Sequence, residues 1–510
     1  MKLLKSTTTK IAVSGVLILL MFSSCTEDFN DLNTDPSLVT EDIVDPDLLL
    51  TNVLKNSIFS IHNGGRISEF AYYYSNQASG NIFNNTDYDF SGYYQDYLIN
   101  IAEVIRLTEE QPNLVNKNAI ARIWKVWLFH RLTDAYGDLP YSEAVLSAQE
   151  SVSQPKYDTQ QSIYTDMLNE LKEASEVLSD DPSQLNYGEA DILYQGDIDL
   201  WRRFANSLRL RLAMRVRYVD EDLAGQHISE VIDAPLISES NQIASLTTEG
   251  ESAADTENRN PLYNRYLPDF YPMWCTYTIT DNLQERDDPR LPIYCLPAAD
   301  GTSGYNGRPI QLLGAEQKGV YTEQTTARLG ELFWAPEYNI KVMTDAEVSF
   351  LKAEAYMTGL AAGDAQAAYR EGIRKAMEIY AIPGSDITDY LATSEGILFG
   401  TPEEQLQQII GQKYLSLYYQ SREAWAEYRR TGYPLMWKGA EQGDTGGHIP
   451  RRLTYPQQEY SLNSQNVQQA AGRLENGDDL MSRVWWDAKA DLPYEHPDQG
   501  TFPPPKAKNR

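Results

Sequence analysis

The sequence predicts a mainly α-helical protein that carries one long irregular, loop-rich face. Apolar residues recur three to four positions apart in successive segments between residues 47 and 430. Between residues 236 and 340 that period fades, and Pro, Gly, Asn, Asp and Tyr become dense. Composition agrees with a folded body: of 510 residues 42% are hydrophobic and 11% aromatic, enough for a large core. Forty-three basic against seventy-three acidic residues give a formal charge of −30. So acidic a chain repels phosphate unless a basic patch is concentrated somewhere, and the sequence shows none, which excludes an ordinary nucleic-acid binder.

The N-terminus reads as an export signal over residues 1–24. Lys2, Lys5 and Lys10 form a positive start, and residues 11–22 are apolar but short for a membrane span. Ser23 and Ser24 before Cys25 resemble a bacterial lipoprotein cleavage site, although Phe22 stands where that pattern favours Leu. By that resemblance the signal is removed and Cys25 becomes a lipidated first residue, its acyl chains burying CH₂ groups at about 0.8 kcal/mol each. Thr26, Glu27 and Asp28 resemble the acidic surface-export signal of Bacteroidetes lipoproteins. Residues 25–46 then form a polar tether.

The body is expected over 47–500, as a single helical domain with the irregular insertion 236–340, followed by a mobile Pro-rich tail over 501–510. Helices are expected at 47–62, 93–110, 118–136, 159–178 and 199–217, then at 344–359, 363–380 and 402–430. Short strands are expected near 276–280 and 292–296, and the chain beyond 439 is expected to be irregular. Arg202, Arg203, Arg209, Arg211, Arg215 and Arg217 interleave with the apolar face of 199–217. They read as partners for the acidic excess, or as stems laid over core surface, before they read as an anion site. The pair 344–380 resembles a tetratricopeptide repeat: Ala353, Ala355, Tyr356 and Gly359 lie on the first helix, and Ala368, Tyr369, Gly372 and Ile373 on the second. Such pairs must stack on neighbours to bury their faces.

Enzyme signatures are missing. There is no H-E-x-x-H, C-x-x-C, Walker loop, G-x-G-x-x-G after a strand, or G-x-S-x-G elbow. The five histidines are scattered, and His130 reads as a core side chain. Asp134 and Asp138 could be imagined as paired carboxylates. Beside Gly137 and Pro140 they read instead as cap and turn. Cys275 and Cys295 could be two thiols or one disulfide, which the sequence leaves open. No cofactor is expected, and acidic loops leave structural calcium open.

Several segments together resemble the SusD/RagB family of nutrient-binding outer-membrane lipoproteins. These are LTDAYGDLPYSEA (132–144), GDIDLWRRFANSLRLRLAMRV (196–216), DDPRLP (287–292), AEVSFLKAEAYMTG (346–359) and RRLTYPQQEYSLNSQNV (451–467). The resemblance implies tetratricopeptide-like helix pairs forming a right-handed helical scaffold. It implies a lipid-anchored lid facing the cell exterior on a SusC-type TonB-dependent outer-membrane transporter, capturing oligosaccharides without chemistry. Peptide capture by the same architecture is an alternative, and a surface glycoside hydrolase a more distant one.

Sugars present apolar C–H faces and a rim of hydroxyls, so a site for them wants aromatic platforms beside polar side chains. Three clusters qualify. The first is Tyr73, Tyr74, Asn76, Phe90 and Tyr93; among Tyr72, Tyr73 and Tyr74 at least one ring is expected to be exposed or hydrogen-bonded through its hydroxyl. The second is Trp274, Cys275 and Tyr277 in the insertion. The third is Tyr305 and Arg308 in a Gly-rich stretch.

Overall fold

The computed structural model describes residues 44–62, 66–75, 90–145, 152–250, 256–266, 273–310, 319–436, 444–494 and 496. The signal segment, Cys25, the tether up to residue 43, Asn76 and the 501–510 tail lie outside the described residues. The principal helices are α1 (Pro46–Phe59), α2 (Ile99–Glu109), α3 (Val115–Tyr136), α4 (Gln160–Val177), α5 (Ile198–Val216), α6 (Glu221–Val231), α7 (Tyr277–Glu285), α8 (Asp345–Met357), α9 (Ala365–Glu378), α10 (Pro402–Ser416) and α11 (Ser421–Thr431). Helix starts follow side-chain chemistry. Thr159, Asp197, Asp220, Thr344, Asp364 and Thr401 each accept a hydrogen bond from a backbone N–H in the first turn of α4, α5, α6, α8, α9 and α10. Among the described residues no helix is long and apolar enough to cross a membrane.

The first six helices pack each on the next: α1 on α2, α2 on α3, α3 on α4, α4 on α5 and α5 on α6, with α8 crossing back onto α5 and pairing with α9 and α10. The protein is thus mainly helical, built on tetratricopeptide-like pairs. In the pair α8–α9 the close approach is real: a Cβ at Gly372 would sit 2.7 Å from the Phe350 ring. Trp124, Trp127, Trp201 and Phe204 interlock between α3 and α5.

Buried ion pairs tie these layers together. Arg211 on α5 is 2.7 Å from Glu347 on α8, Arg430 on α11 is 2.7 Å from Glu354 on α8, and Arg215 pairs with Glu423 on α11. Burial pushes the Glu423 carboxyl up, but Arg215 and Arg211 outweigh it and hold it below the usual range. The arginine stripe is therefore structural, as the acidic excess implied. Arg209 likewise pairs with Glu230 on α6.

The family-like motifs converge in space. At the end of α3, Gly137 turns the chain at a φ of +86° and its N–H donates to Thr133. Asp138 accepts from the Gln160 N–H at 2.7 Å, Asp134 accepts from the Tyr164 hydroxyl, and Leu453 donates back to the Ala135 carbonyl at 2.7 Å. In the D-P-R-L turn, Arg290 joins Asp288 at 2.6 Å and Gln412 of α10 at 2.7 Å.

Strands are short: β1 (Tyr74–Ser75), β2 (Leu139–Pro140), β3 (Tyr157–Asp158), β4 (Ala244–Thr247), β5 (Trp274–Cys275), β6 (Cys295–Leu296), β7 (Arg328–Leu329) and β8 (Asn339–Met343). Antiparallel pairing of β4 with β8 closes the irregular insertion at its base. Several expectations change. Residues 277–280 open helix α7 instead of a strand, and of the strand expected near 292–296 only Cys295–Leu296 is extended, Leu291–Tyr294 being a short helix. Helix α6 appears where none was read, because its buried side is only Ala224, His227, Ile228 and Val231. The 402–430 helix breaks at residues 417–420, where Tyr419 takes a φ of +71°. The chain beyond 439 contains the short helices Gln457–Leu462 and Ser464–Gly472.

Candidate functional site

One four-stranded sheet, ordered β1–β5–β7–β6, brings together a member of each of the three clusters expected from sequence: Tyr74, Trp274 with Cys275, and Arg308 at its margin. Opposed residues in antiparallel strands share a face. One row holds Tyr74 opposite Cys275, and Cys295 opposite Leu329, and all four are buried toward the core. Cys275 and Cys295 form a disulfide with Cα atoms 6.2 Å apart, so of the two alternatives the structure has the bridge. The other row runs Ser75–Trp274–Arg328–Leu296. Arg308 joins it through a parallel bridge with Thr276, its N–H donating to the Cys275 carbonyl at 2.9 Å. Its guanidinium lies 4.3 Å from the Trp274 ring centroid, within cation–π range.

Burial depresses the Arg308 guanidinium to about 10, with the Glu69 carboxylate opposing the shift. Tyr277 sits at the start of α7, its N–H donating to the Arg308 carbonyl at 2.9 Å. Burial, then Asp281, pushes the Tyr277 hydroxyl well up, and the same two causes push Tyr321 up to about 12. Tyr305 is half-buried nearby, its carbonyl accepting from Gln284 at 3.0 Å.

The row of residues around Trp274 also gathers polar atoms that the fold leaves unanswered. Trp274 Nε1, Asn306 Oδ1, Thr326 Oγ1 and Arg328 Nε are all buried without a hydrogen-bond partner among the described residues. Asn306 and Ala327 share a backbone bond of 2.8 Å, which places the loop 306–308 beside β7. A buried polar atom without a partner costs about 1–3 kcal/mol, and each calls for an explanation such as strain, a water or a bound group. Sequence reasoning missed Asn306, Thr326 and Arg328, because no spacing in the insertion marks residues that pairing alone makes neighbours.

The first cluster is placed differently from the expectation of a platform. Tyr72, Tyr73 and Tyr74 are only 2%, 0% and 1% exposed. Three adjacent rings are all buried because Tyr72 takes a φ of +56°, which breaks the alternation of an extended chain. The Tyr73 hydroxyl donates to the Tyr414 carbonyl at 2.8 Å, so the hydrogen-bonded option applies. Phe90 packs edge-on against Tyr136, and the Tyr93 hydroxyl donates to the Leu128 carbonyl at 3.2 Å. A ring enclosed by its own core offers no face to a solvent-borne ligand. Trp274 itself is 4% exposed, beneath Arg308 rather than open to solvent.

One other constellation has ligand-type atoms close together: His130, Asp134 and Glu423, within 4.8 Å of one another. Arg215 already pairs with Glu423 and lies 4.0 Å from Asp134. Burial, then Arg211, Arg131 and Arg215, hold His130 well below its usual range. A cation placed there would meet guanidiniums, so the cluster reads as part of the structural ion network.

Among curated proteins no sequence matches the chain. Solved structures are similar over most of its length. A chitin-binding protein is 26% identical, with a TM-score of 0.76 and coverage of 87% of this chain and 100% of the other. A SusD homolog from Bacteroides fragilis is 26% identical, with a TM-score of 0.74 and coverage of 88% and 100%. A SusD homolog from Bacteroides uniformis is 26% identical, with a TM-score of 0.72 and coverage of 88% and 100%. Residues 42–456 match the family described as "Starch-binding associating with outer membrane". With the family match spanning most of the chain and the helical scaffold shared with SusD homologs, the chain belongs to the SusD-like family.

Proposed function

We propose that this protein is a glycan-capturing lipoprotein of the outer membrane, anchored through Cys25 and facing the cell exterior. It binds oligosaccharides and hands them, unaltered, to a SusC-type TonB-dependent transporter. The observation that carries the binding role is the set of polar atoms around Trp274 that have no hydrogen-bond partner among the described residues, covered by the guanidinium of Arg308, which a ligand would have to displace. Sugar hydroxyls are both donors and acceptors, so one ligand class answers indole N–H, amide oxygen, hydroxyl and guanidinium together. Tyr305, half-buried in the loop beside these atoms, would supply ring surface, whereas Tyr277 is only 5% exposed and would not. Family membership supports the outer-membrane setting, and the chitin-binding relative supports the ligand class.

Isothermal titration of the purified chain with chitohexaose and maltoheptaose tests the reading. Binding that weakens in Trp274→Phe and Arg328→Gln, with unchanged oligosaccharide length after prolonged incubation, is expected. Shortened products would move the assignment to a hydrolase. Binding of peptides and of no sugar would move it to peptide capture. Co-purification of the full chain from membranes with a large β-barrel tests the transporter.

A further inference from the structure

An open groove of about 410 Å³, whose described lining includes no residue of that sheet, lies between α1 and the helical segment leading into α2. Its walls carry Asn52, Asn56 and Asn100, the carboxylate of Asp96, and the rings of Phe59 and Tyr97. Pro261, from the irregular insertion, borders it. Local sequence explains the lining. Val53, Leu54, Ser57 and Ile58 bury one side of α1, which turns Asn52 and Asn56, one helical turn apart, outward.

Opposite them, residues Tyr94–Leu98 form a π-helical turn rather than a continuous α-helix. Such turns are uncommon and concentrate at functional sites. Here Leu98 remains buried while Asp96 is exposed and Tyr97 half-exposed toward the groove. Tyr97 is held by an edge-on contact with Tyr93 at 4.9 Å. The Asn56 amide donates to Asn52 Oδ1 at 3.2 Å, and the Asn100 amide donates to the Asp96 carbonyl at 2.8 Å. Those bonds orient the amides and, among the described residues, leave Asn56 Oδ1, Asn52 Nδ2 and Asn100 Oδ1 unspent. Asp96 makes no ion pair among the described residues.

We propose that this groove is a second saccharide site, taking an uncharged oligosaccharide independently of the Trp274 face. Two partly exposed rings suit the C–H faces of a pyranose, while amides and a carboxylate suit its hydroxyls. Among the described lining residues the charged one is Asp96, which repels acids, while Lys55 Nζ stands 5.9 Å from the Phe59 ring centroid; the carboxylate inside the groove disfavours uronate or sulfated sugars. The volume falls within the range of small-molecule sites.

Hydrogen–deuterium exchange on the full chain, with millimolar maltoheptaose, chitohexaose or tetragalacturonate, tests this. Either neutral oligomer is expected to protect peptides covering 52–60 and 94–100, and tetragalacturonate to leave them unchanged. Asn52→Ala/Asn56→Ala is expected to remove that protection at an unchanged melting temperature and to weaken groove binding at least fivefold. Trp274→Phe is expected to leave it intact. Protection confined to the Trp274 face, or absent with both neutral oligomers, overturns the second site. Equal protection by tetragalacturonate overturns the assignment to uncharged sugars. Groove protection without any protection near Trp274 upholds this inference and removes the sheet face as the binding site.

Discussion

The guanidinium of Arg308 lies 4.3 Å from the ring centroid of Trp274, a residue in a different segment of the irregular insertion. The contact exists because the Thr276–Arg308 bridge sets the two backbone segments side by side. It joins two residues that sequence reading had placed in separate candidate clusters. It also covers the indole, so the expected open platform becomes a covered one whose Nε1 lacks a partner among the described residues.

If that indole and its neighbours answer sugar hydroxyls, conservative changes should weaken binding without unfolding the chain. Trp274→Phe keeps most of the ring volume and removes the N–H, and Arg328→Gln removes the charge. Each is expected to lower oligosaccharide affinity about tenfold, or about 1.4 kcal/mol, in isothermal titration. Unchanged affinity in both variants, with melting temperatures preserved, would remove the sheet face from consideration.

The buried pair Arg211–Glu347 should be far more sensitive to losing one member than to losing both. Its side chains are 3% and 0% exposed, so Arg211→Met strands a carboxylate in the core. A loss of about 3–5 kcal/mol is expected from denaturant unfolding, with the double change Arg211→Met/Glu347→Met recovering much of it. Additive losses would mean that the two charges do not act as a pair.

The Cys275–Cys295 bridge closes a loop of sequence separation 20 beneath the candidate face. Restricting an unfolded loop of that size is worth about 3 kcal/mol. Cys275→Ala/Cys295→Ala should lower stability by about that amount and raise exchange in residues 273–310. Wild-type protein treated with reductant should behave the same way, and the variant should no longer respond to reductant.

Lys341 gives stability a pH dependence of known sign. Its ammonium lies 4.9 Å from the Tyr338 ring and 5.7 Å from the Tyr380 ring, and makes no ion pair among the described residues. Burial lowers it from 10.5 to about 8. Between those two values the unfolded chain binds the proton that the folded chain has released, so folding gains as pH rises through this window. Below about pH 8 both states hold the proton and the full penalty applies. Lys341→Met should therefore stabilise the protein by about 2–3 kcal/mol at pH 7, an advantage that shrinks toward pH 10.5. Taking the difference between variant and wild type cancels the ionisation of the many tyrosines. A difference that stays constant from pH 7 to 10 would contradict the assignment.

Much of the scaffold was readable in advance because helices are local. An apolar stripe at helical spacing, an Asp or Thr at the start and a glycine at the stop are written within twenty residues of one another. Trp201, Phe204 and Leu208 already point α5 inward, and Asp197 already caps it. The motifs of residues 132–144, 196–216 and 451–467 carried the family for a related reason: they build turns and buried helix faces that the scaffold cannot form otherwise.

The binding face follows other rules. Its strands are two residues long and show no period, and its partners come from positions 75, 274, 296, 308 and 328. Tyr73 and Tyr74 read as platforms by composition, yet the left-handed turn at Tyr72 folds both into the core. Tyr97 falls within the regular helix expected at 93–110, yet it sits in a π-helical turn at the rim of a groove. Helix identity, polarity and family thus came from near neighbours along the chain. Which aromatic rings end buried, and which polar atoms remain unanswered, came from long-range pairing, because burial depends on what arrives from elsewhere in the chain.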